Sequence, residues 1–198
     1  MELVEREKEL LELSTLLNRA RRGQGIVVAV LGEAGIGKSS LVRSFLNGAG
    51  TDIRALSGFC DDLGIAEPLS VLRDLARETG VDLPESLSDS NERLSAFSEV
   101  LQRAIAQSMP TVIFVEDVHW ADGATVDFLR YLTRRVAGTR VMIVLTARTD
   151  EAKGRTNVRR IIGDAVSQDV RRIDLKPISE ATVARLAIEA GKDPQRFN

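Results

Sequence analysis

Apolar residues recur at spacings of three, four and seven through Leu3, Leu10, Leu13, Leu17 and Ala20, while Glu5, Arg6, Glu7, Lys8, Glu9 and Glu12 fill the polar side. That period predicts an amphipathic helix of about 18 residues, closed by Gly23 and Gly25. Ile26 to Leu31 (IVVAVL) is then continuously apolar and β-branched, bounded by Gly25 and Gly32. A run without alternation fits a parallel strand covered on both faces. From Lys38 the residues Leu41, Val42, Phe45 and Leu46 return to helical spacing, and Gly48 and Gly50 mark the exit. Further along, Asp52 to Gly58 reads as a strand and Leu69 to Glu78 as a short helix. A longer helix follows the Ser88, Asp89, Ser90 cluster, with Leu94, Phe97, Leu101 and Ile105 on one face, and stops before Pro110. Thr111 to Val115 (TVIFV) and Arg140 to Ala147 (RVMIVLTA) are strands. Between them lies a helix capped by Asp122, carrying Val126, Leu129, Leu132 and Val136 and ended by Gly138. Asp169 to Leu175 is a weaker fifth strand, and Ser179 opens a last helix with Val183, Leu186, Ala187 and Ala190, ending at Gly191. Strands alternating with helices predict an α/β fold, a doubly wound parallel sheet of about five strands in three layers, with ligands at the strand C-termini.

With 198 residues, 43% hydrophobic and 28% charged, the chain suits one globular domain. Its organisation reads as an N-terminal helix (1–22), a core (26–178) and a C-terminal helix (179–191). Lys and Arg total 27 against 29 Asp and Glu, for a net charge of −2. No basic footprint of a nucleic-acid or anionic-membrane binder is present, so direct contact with nucleic acid by this domain is not expected. The apolar runs are far too short to cross a bilayer and the N-terminus is charged, so a cytoplasmic protein without a membrane partner is expected. The single Cys60 makes no internal disulfide and has no metal-spaced neighbours. Its expected role is a buried thiol.

The segment GEAGIGKSS, Gly32 to Ser40, satisfies G-x-x-x-x-G-K-[ST] through Gly32, Gly37, Lys38 and Ser39. Between a buried strand and a helix, this spacing lets successive backbone N–H groups of Gly32, Glu33, Ala34, Gly35, Ile36, Gly37, Lys38, Ser39 and Ser40 turn around an anion at the helix N-terminus. Lys38 is then expected to neutralise β and γ phosphates, and the Ser39 hydroxyl to serve Mg²⁺, which demands oxygen ligands. Such a site also needs a carboxylate for Mg²⁺ and one to position water. Glu116 and Asp117 follow the apolar TVIFV strand where both could reach the phosphates. Neighbouring side chains on a strand point opposite ways, however, so only one can face the nucleotide unless the strand ends there. No N-K-x-D segment for guanine is present, which favours ATP. The pairs Arg134/Arg135, Arg159/Arg160 and Arg171/Arg172 are separate and read as solvated faces rather than an Arg-rich phosphate lid.

Taken together, LVEREKELLELSTLLNRARRGQGIVVAVLGEAGIGKSSLV, TVIFVEDVHWAD, VMIVLTAR and RRIDLKPIS resemble the ATPase domain of STAND-class signal-transducing NTPases, within the AAA-like P-loop proteins. The closest look is to bacterial large LuxR-type, MalT-like transcription regulators. The resemblance implies that Val4 and Arg6 belong to an opening motif lying against adenine and ribose, with Glu5 where relatives often have Gly. It implies that Glu116 is the Mg²⁺-directed acid, where Asp is commoner, and that Asp117 orients water. The longer side chain of Glu116 leaves direct or water-mediated metal contact open. Arg148 matches a sensor arginine that reads the γ-phosphate. His119 and Trp120 are expected to pack locally, and Asp122 to cap a helix. The class continues into a helical lid, a sensor region and an output domain, so a chain ending at Asn198 reads as a fragment without its lid, or as a naturally short protein. The implied function is an adenine-nucleotide switch using Mg²⁺ with ATP or ADP, hydrolysing ATP slowly, and controlling ATP-dependent self-association and the parent regulator's other domains. A faster ATPase or phosphotransferase, and a degenerate nucleotide-binding interaction module, are the alternatives.

Overall fold

The computed structural model describes residues 4–61, 68–106, 108–149, 152–163 and 169–189. The strands β1 (Ile26–Gly32), β2 (Arg54–Phe59), β3 (Thr111–Glu116), β4 (Val141–Arg148) and β5 (Val170–Asp174) form one sheet in the order β2-β3-β4-β1-β5, every pair parallel. Ile26 stands opposite Met142 and Gly32 opposite Arg148, so the ends of β1 and β4 finish side by side. Around the sheet, the described residues form the helices α1 (Glu7–Arg21), α2 (Lys38–Ala49), α3 (Ser70–Thr79), α4 (Ser90–Ile105), α5 (Gly123–Thr133), α6 (Ala152–Ile162) and α7 (Glu180–Glu189).

The period-two alternation of the strands divides the core. Val27, Ala29, Leu31, Ile113, Val115, Ile143 and Leu145 pack with Leu72 and Leu75 of α3, Phe97 and Leu101 of α4, Phe128 and Leu129 of α5, and Val158 and Ile161 of α6. Val28, Val30, Val112, Phe114, Met142 and Val144 face the other way, onto Leu13 and Leu17 of α1 and Leu41, Val42 and Phe45 of α2. Both faces of the central strands are therefore dry, which is why these strands read as unbroken apolar runs. Each buried Val, Leu, Ile, Phe or Met side chain contributes about 1.5–3 kcal/mol by leaving water. The α/β doubly wound fold and the five expected strands are as the sequence predicts.

Several details differ. The first helix begins at Glu7, not near Leu3, because Glu5 takes φ +57°, a left-handed conformation that no helix propagates. Leu16 joins Leu13, Leu17 and Ala20 in its buried stripe, while Leu10 is half-buried. Helix α2 runs through Gly48 and stops at Gly50, whose φ of +66° suits glycine. On α4 the inward face is Ala96, Phe97, Val100, Leu101 and Ala104, whereas Leu94 and Ile105, expected inside, are exposed. Helix α6 has no counterpart among the expected elements; its sequence carries few apolar residues among charges, and Val158 and Ile161 seat it on the core. The side chains of Val183, Leu186 and Ala187, and all of Ala190 and Gly191, lie outside the described residues.

The outer edge of β2 is covered by side chains of α3. The Ser57 N–H donates to Glu78 Oε2 at 3.0 Å and the Phe59 N–H to Asp74 Oδ2 at 3.3 Å. Among the described residues no helix is long and apolar enough to cross a membrane.

Candidate functional site

The loop from β1 to α2 wraps a cleft of about 350 Å³ lined by Ala34, Gly35, Gly37, Lys38, Ser39, Ser40, Asp117 and Arg148. Gly37, the residue before α2, has φ +95°, a turn that a side chain resists and that aims the first free N–H groups of α2 into the cleft. Lys38 is 6% exposed, and its Nζ donates to the carbonyls of Glu33 (2.7 Å) and Gly32 (3.1 Å). The ammonium is thus held at the mouth of the loop.

The two acids at the end of β3 resolve the alternation problem. The strand ends at Glu116, and Asp117 takes φ 57° and ψ 47°. That left-handed residue reverses the chain, so both side chains turn toward the α2 side: Asp117 lines the cleft, and Glu116 meets the first turn of α2. The conformation costs about 1–3 kcal/mol for a residue other than glycine and survives where neighbours enforce it. Here the Asp117 N–H donates to Thr146 Oγ1 at 2.9 Å, from a threonine wholly buried in β4.

The Ser39 hydroxyl donates to Glu116 Oε1, and Arg43 NH2 donates to Glu116 Oε2 at 2.9 Å. A hydroxyl and a carboxylate in contact are both hard oxygen donors. They fit Mg²⁺, which characteristically takes one or two protein oxygens and completes its shell with water and phosphate. Among the described residues there is no cluster of three or more His, Cys, Asp or Glu able to hold a metal. Burial raises the Asp117 pKa above the ordinary carboxylate value. His119 opposes that shift, Glu116 reinforces it, and Lys38 and Arg148 oppose it.

Of the residues expected at the nucleotide, Gly32, Glu33 and Ile36 are not among those lining the cleft. Ile36 offers its carbonyl to Arg6 NH2 at 3.3 Å. Arg6 is itself 6% exposed and also donates to Lys176 O at 2.8 Å, so its guanidinium ties the phosphate loop to the segment after β5. Val4 is half-buried and outside the cleft lining. Glu5 points the other way and caps α7, accepting from the Ser179 N–H (2.7 Å) and from the hydroxyls of Ser179 and Thr182. These donors hold its carboxyl down at about 2.

His119 is 1% exposed, with Nδ1 3.7 Å from Asp117 Oδ1, and its ring lies against Trp120. Both residues pack in the Val118–Trp120 turn as expected, and Asp122 caps α5 by accepting from the N–H groups of Ala124 and Thr125. Cys60 is buried, and burial with nearby Asp122 and Asp117 pushes its thiol up to about 12. Sequence reasoning missed Arg43, Thr146 and Asn157. Only Thr146 left a trace, as a hydroxyl within an otherwise apolar strand.

Comparisons with known proteins bear on the fold and the family. An uncharacterised protein of Rhizobium meliloti (strain 1021) is 27% identical across 95% of the chain, which spans 22% of that relative's length. Among solved structures, the Aeropyrum pernix ORC1 protein in complex with DNA matches with a TM-score of 0.68 at 18% identity, over 96% of this chain and 50% of that one. Cdc6p from Pyrobaculum aerophilum matches with a TM-score of 0.65 at 18% identity, over 95% and 49% respectively. The chain thus spans half or less of each of these relatives. Residues 2–144 match the AAA ATPase domain family. That match takes in well over half of the chain, and the chain belongs to the AAA ATPase domain family.

Proposed function

We propose that this domain binds ATP with Mg²⁺ and hydrolyses it slowly, as the nucleotide switch of a larger signal-transducing or transcriptional regulator of the STAND class. The observation that carries the reading is the cleft itself, where Lys38, Asp117 and Arg148 converge on the cradle of the phosphate loop. Lys38 counters the charge of the β and γ phosphates, and the N–H groups at the start of α2 fix their oxygens. Ser39 and Glu116 are the residues that would hold Mg²⁺, which would supply charge neutralisation to the phosphates. Asp117 orients the attacking water and accepts its proton. Burial, which raises its pKa, makes it a better base than a fully solvated aspartate.

Arg148 carries the switching role. It stands at the end of β4 beside the cleft, and α6 begins just beyond it, so a contact with the γ-phosphate present in ATP and lost in ADP biases the position of α6. A ligand shifts domains only through such differential contacts. The partners in this reading are the adenine nucleotide, the lid, sensor and output domains of the parent protein, and further copies in the ATP state. If the parent engages DNA, it does so through another domain, since this one carries a net charge of −2.

Thermal unfolding with nucleotide tests the reading. Mg·ATP at ~100 times its Kd adds about 2.7 kcal/mol and raises Tm by about 5–10 °C. ADP is expected to do likewise, GTP not, and Lys38→Ala to abolish the shift. A shift that survives in Lys38→Ala, or no shift with any nucleotide, overturns it.

A further inference from the structure

Asn157 lies on α6 and is 5% exposed. Its Nδ2 is 3.1 Å from the carbonyl oxygen of Val118, 3.2 Å from that of Ala121 and 3.4 Å from that of His119. An amide has two N–H groups, so three acceptors at these distances share them. One side chain thereby gathers the turn that leads away from Asp117. The turn's own bonds, Trp120 N–H to Asp117 O and Ala121 N–H to Val118 O, close it on itself and do not fix it relative to the sheet. Thr146 holds the strained left-handed residue from one side, at its N–H, and Asn157 holds the 118–121 turn from the other. Such a conformation lasts only where its surroundings over-determine it.

We infer that Asn157 is a positioning residue for ATP hydrolysis: by donating to the carbonyls of the 118–121 turn, it fixes the direction in which Asp117 offers its carboxylate to the phosphate cleft. The inference rests on the reading of Asp117 as the water-orienting acid. It also gives α6 a second purpose, since this helix follows Arg148 in the chain and grips the turn after Asp117. The chemistry demands an amide: leucine fills the space but donates nothing, and an ionised aspartate sets acceptor against acceptor.

The chain's single tryptophan, Trp120, lies in the same turn, and its emission reports the turn's placement without nucleotide. Asn157→Ala in the full chain is therefore measured three ways: the Mg·ATP-induced rise in Tm, kcat and KM for ATP, and acrylamide quenching of Trp120. The expected result is a retained Tm rise, KM within about threefold, kcat lower by about tenfold or more, and stronger quenching. Wild-type kcat with unchanged quenching overturns the inference. Loss of the Tm rise along with kcat also overturns it, because Asn157 then supports the fold at large. If the wild type binds ATP yet hydrolyses none, the reading of Asp117 fails on its own account, and quenching alone decides whether Asn157 holds the turn. Should Asn157→Ala not fold, Asn157→Leu fills the space without donating and is judged by the same three measurements.

Discussion

Asp117 combines two costs, a left-handed backbone and a carboxylate whose ionised form is penalised by burial. The sign of the second comes from linkage. A carboxyl with a raised pKa in the fold contributes stability below its unfolded pKa and loses it as pH rises through the folded value, so at neutral pH the charge is a burden. Asparagine carries no charge and is among the residues most at ease in the left-handed region. Asp117→Asn is accordingly expected to keep or slightly raise Tm at pH 7 and to keep the ATP-induced shift, while lowering hydrolysis by about a hundredfold. Calorimetry beside a phosphate-release assay checks this; undiminished hydrolysis would remove Asp117 from its role. At this scale the phosphate loop was readable because anion chemistry dictates each of its residue types. Glu116 and Asp117 were both named from their place after TVIFV, but how two neighbours turn to the same side was not readable, since strand alternation sets them apart and the left-handed turn at Asp117 is held by Thr146, distant in sequence. Asn157 and Arg43 were hidden for the same reason: their meaning lies in the partners the fold brings to them.

At the level of elements, the strands were legible because two-sided burial writes them as unbroken apolar runs, as in IVVAVL and TVIFV. Helix ends with a chemical marker, such as Asp89, Asp122 and Gly50, were legible too. Helix α6 was not, because a surface helix seated on a few apolar residues has little periodic signal. The start of α1 was misplaced because the charges from Glu5 to Glu9 look helical, whereas Glu5 and Arg6 are engaged elsewhere, Arg6 with the phosphate loop and Glu5 with α7. The Glu5 link has a pH signature. Its donors favour the carboxylate, holding the pKa at about 2 against the ordinary 4.5. The stability it contributes is therefore present above about pH 4.5 and is lost as pH falls toward 2. Glu5→Gln is expected to lower Tm at pH 7, and the gap to wild type to shrink between pH 5 and 3. A gap independent of pH would show that the charge of Glu5 plays no part.

For the molecule as a whole, the parallel order puts the site at the carboxyl ends of the strands and leaves β2 as an edge strand. Asp74 and Glu78 occupy the outward N–H groups of Ser57 and Phe59, closing that edge to another strand with negative charge. Replacing both, as Asp74→Ala with Glu78→Ala, is expected to cost about 1–2 kcal/mol and to produce self-association that grows with concentration. Denaturant titration and light scattering would register the two effects, and a variant that stays monomeric would show that the edge needs no such guard.

The place of β1 in the sheet also bears on how the protein is made. It lies between β4 and β5, so the strand that delivers the phosphate loop is translated early yet gains its neighbours only from residues 141–148 and 170–174. Until those segments leave the ribosome, Gly32 to Ser40 has no floor beneath it and no Arg148 beside it. On the reading of this cleft as an ATP site, a nascent chain acquires its nucleotide late, and bound ATP marks a domain whose β4 and β5 have already joined β1.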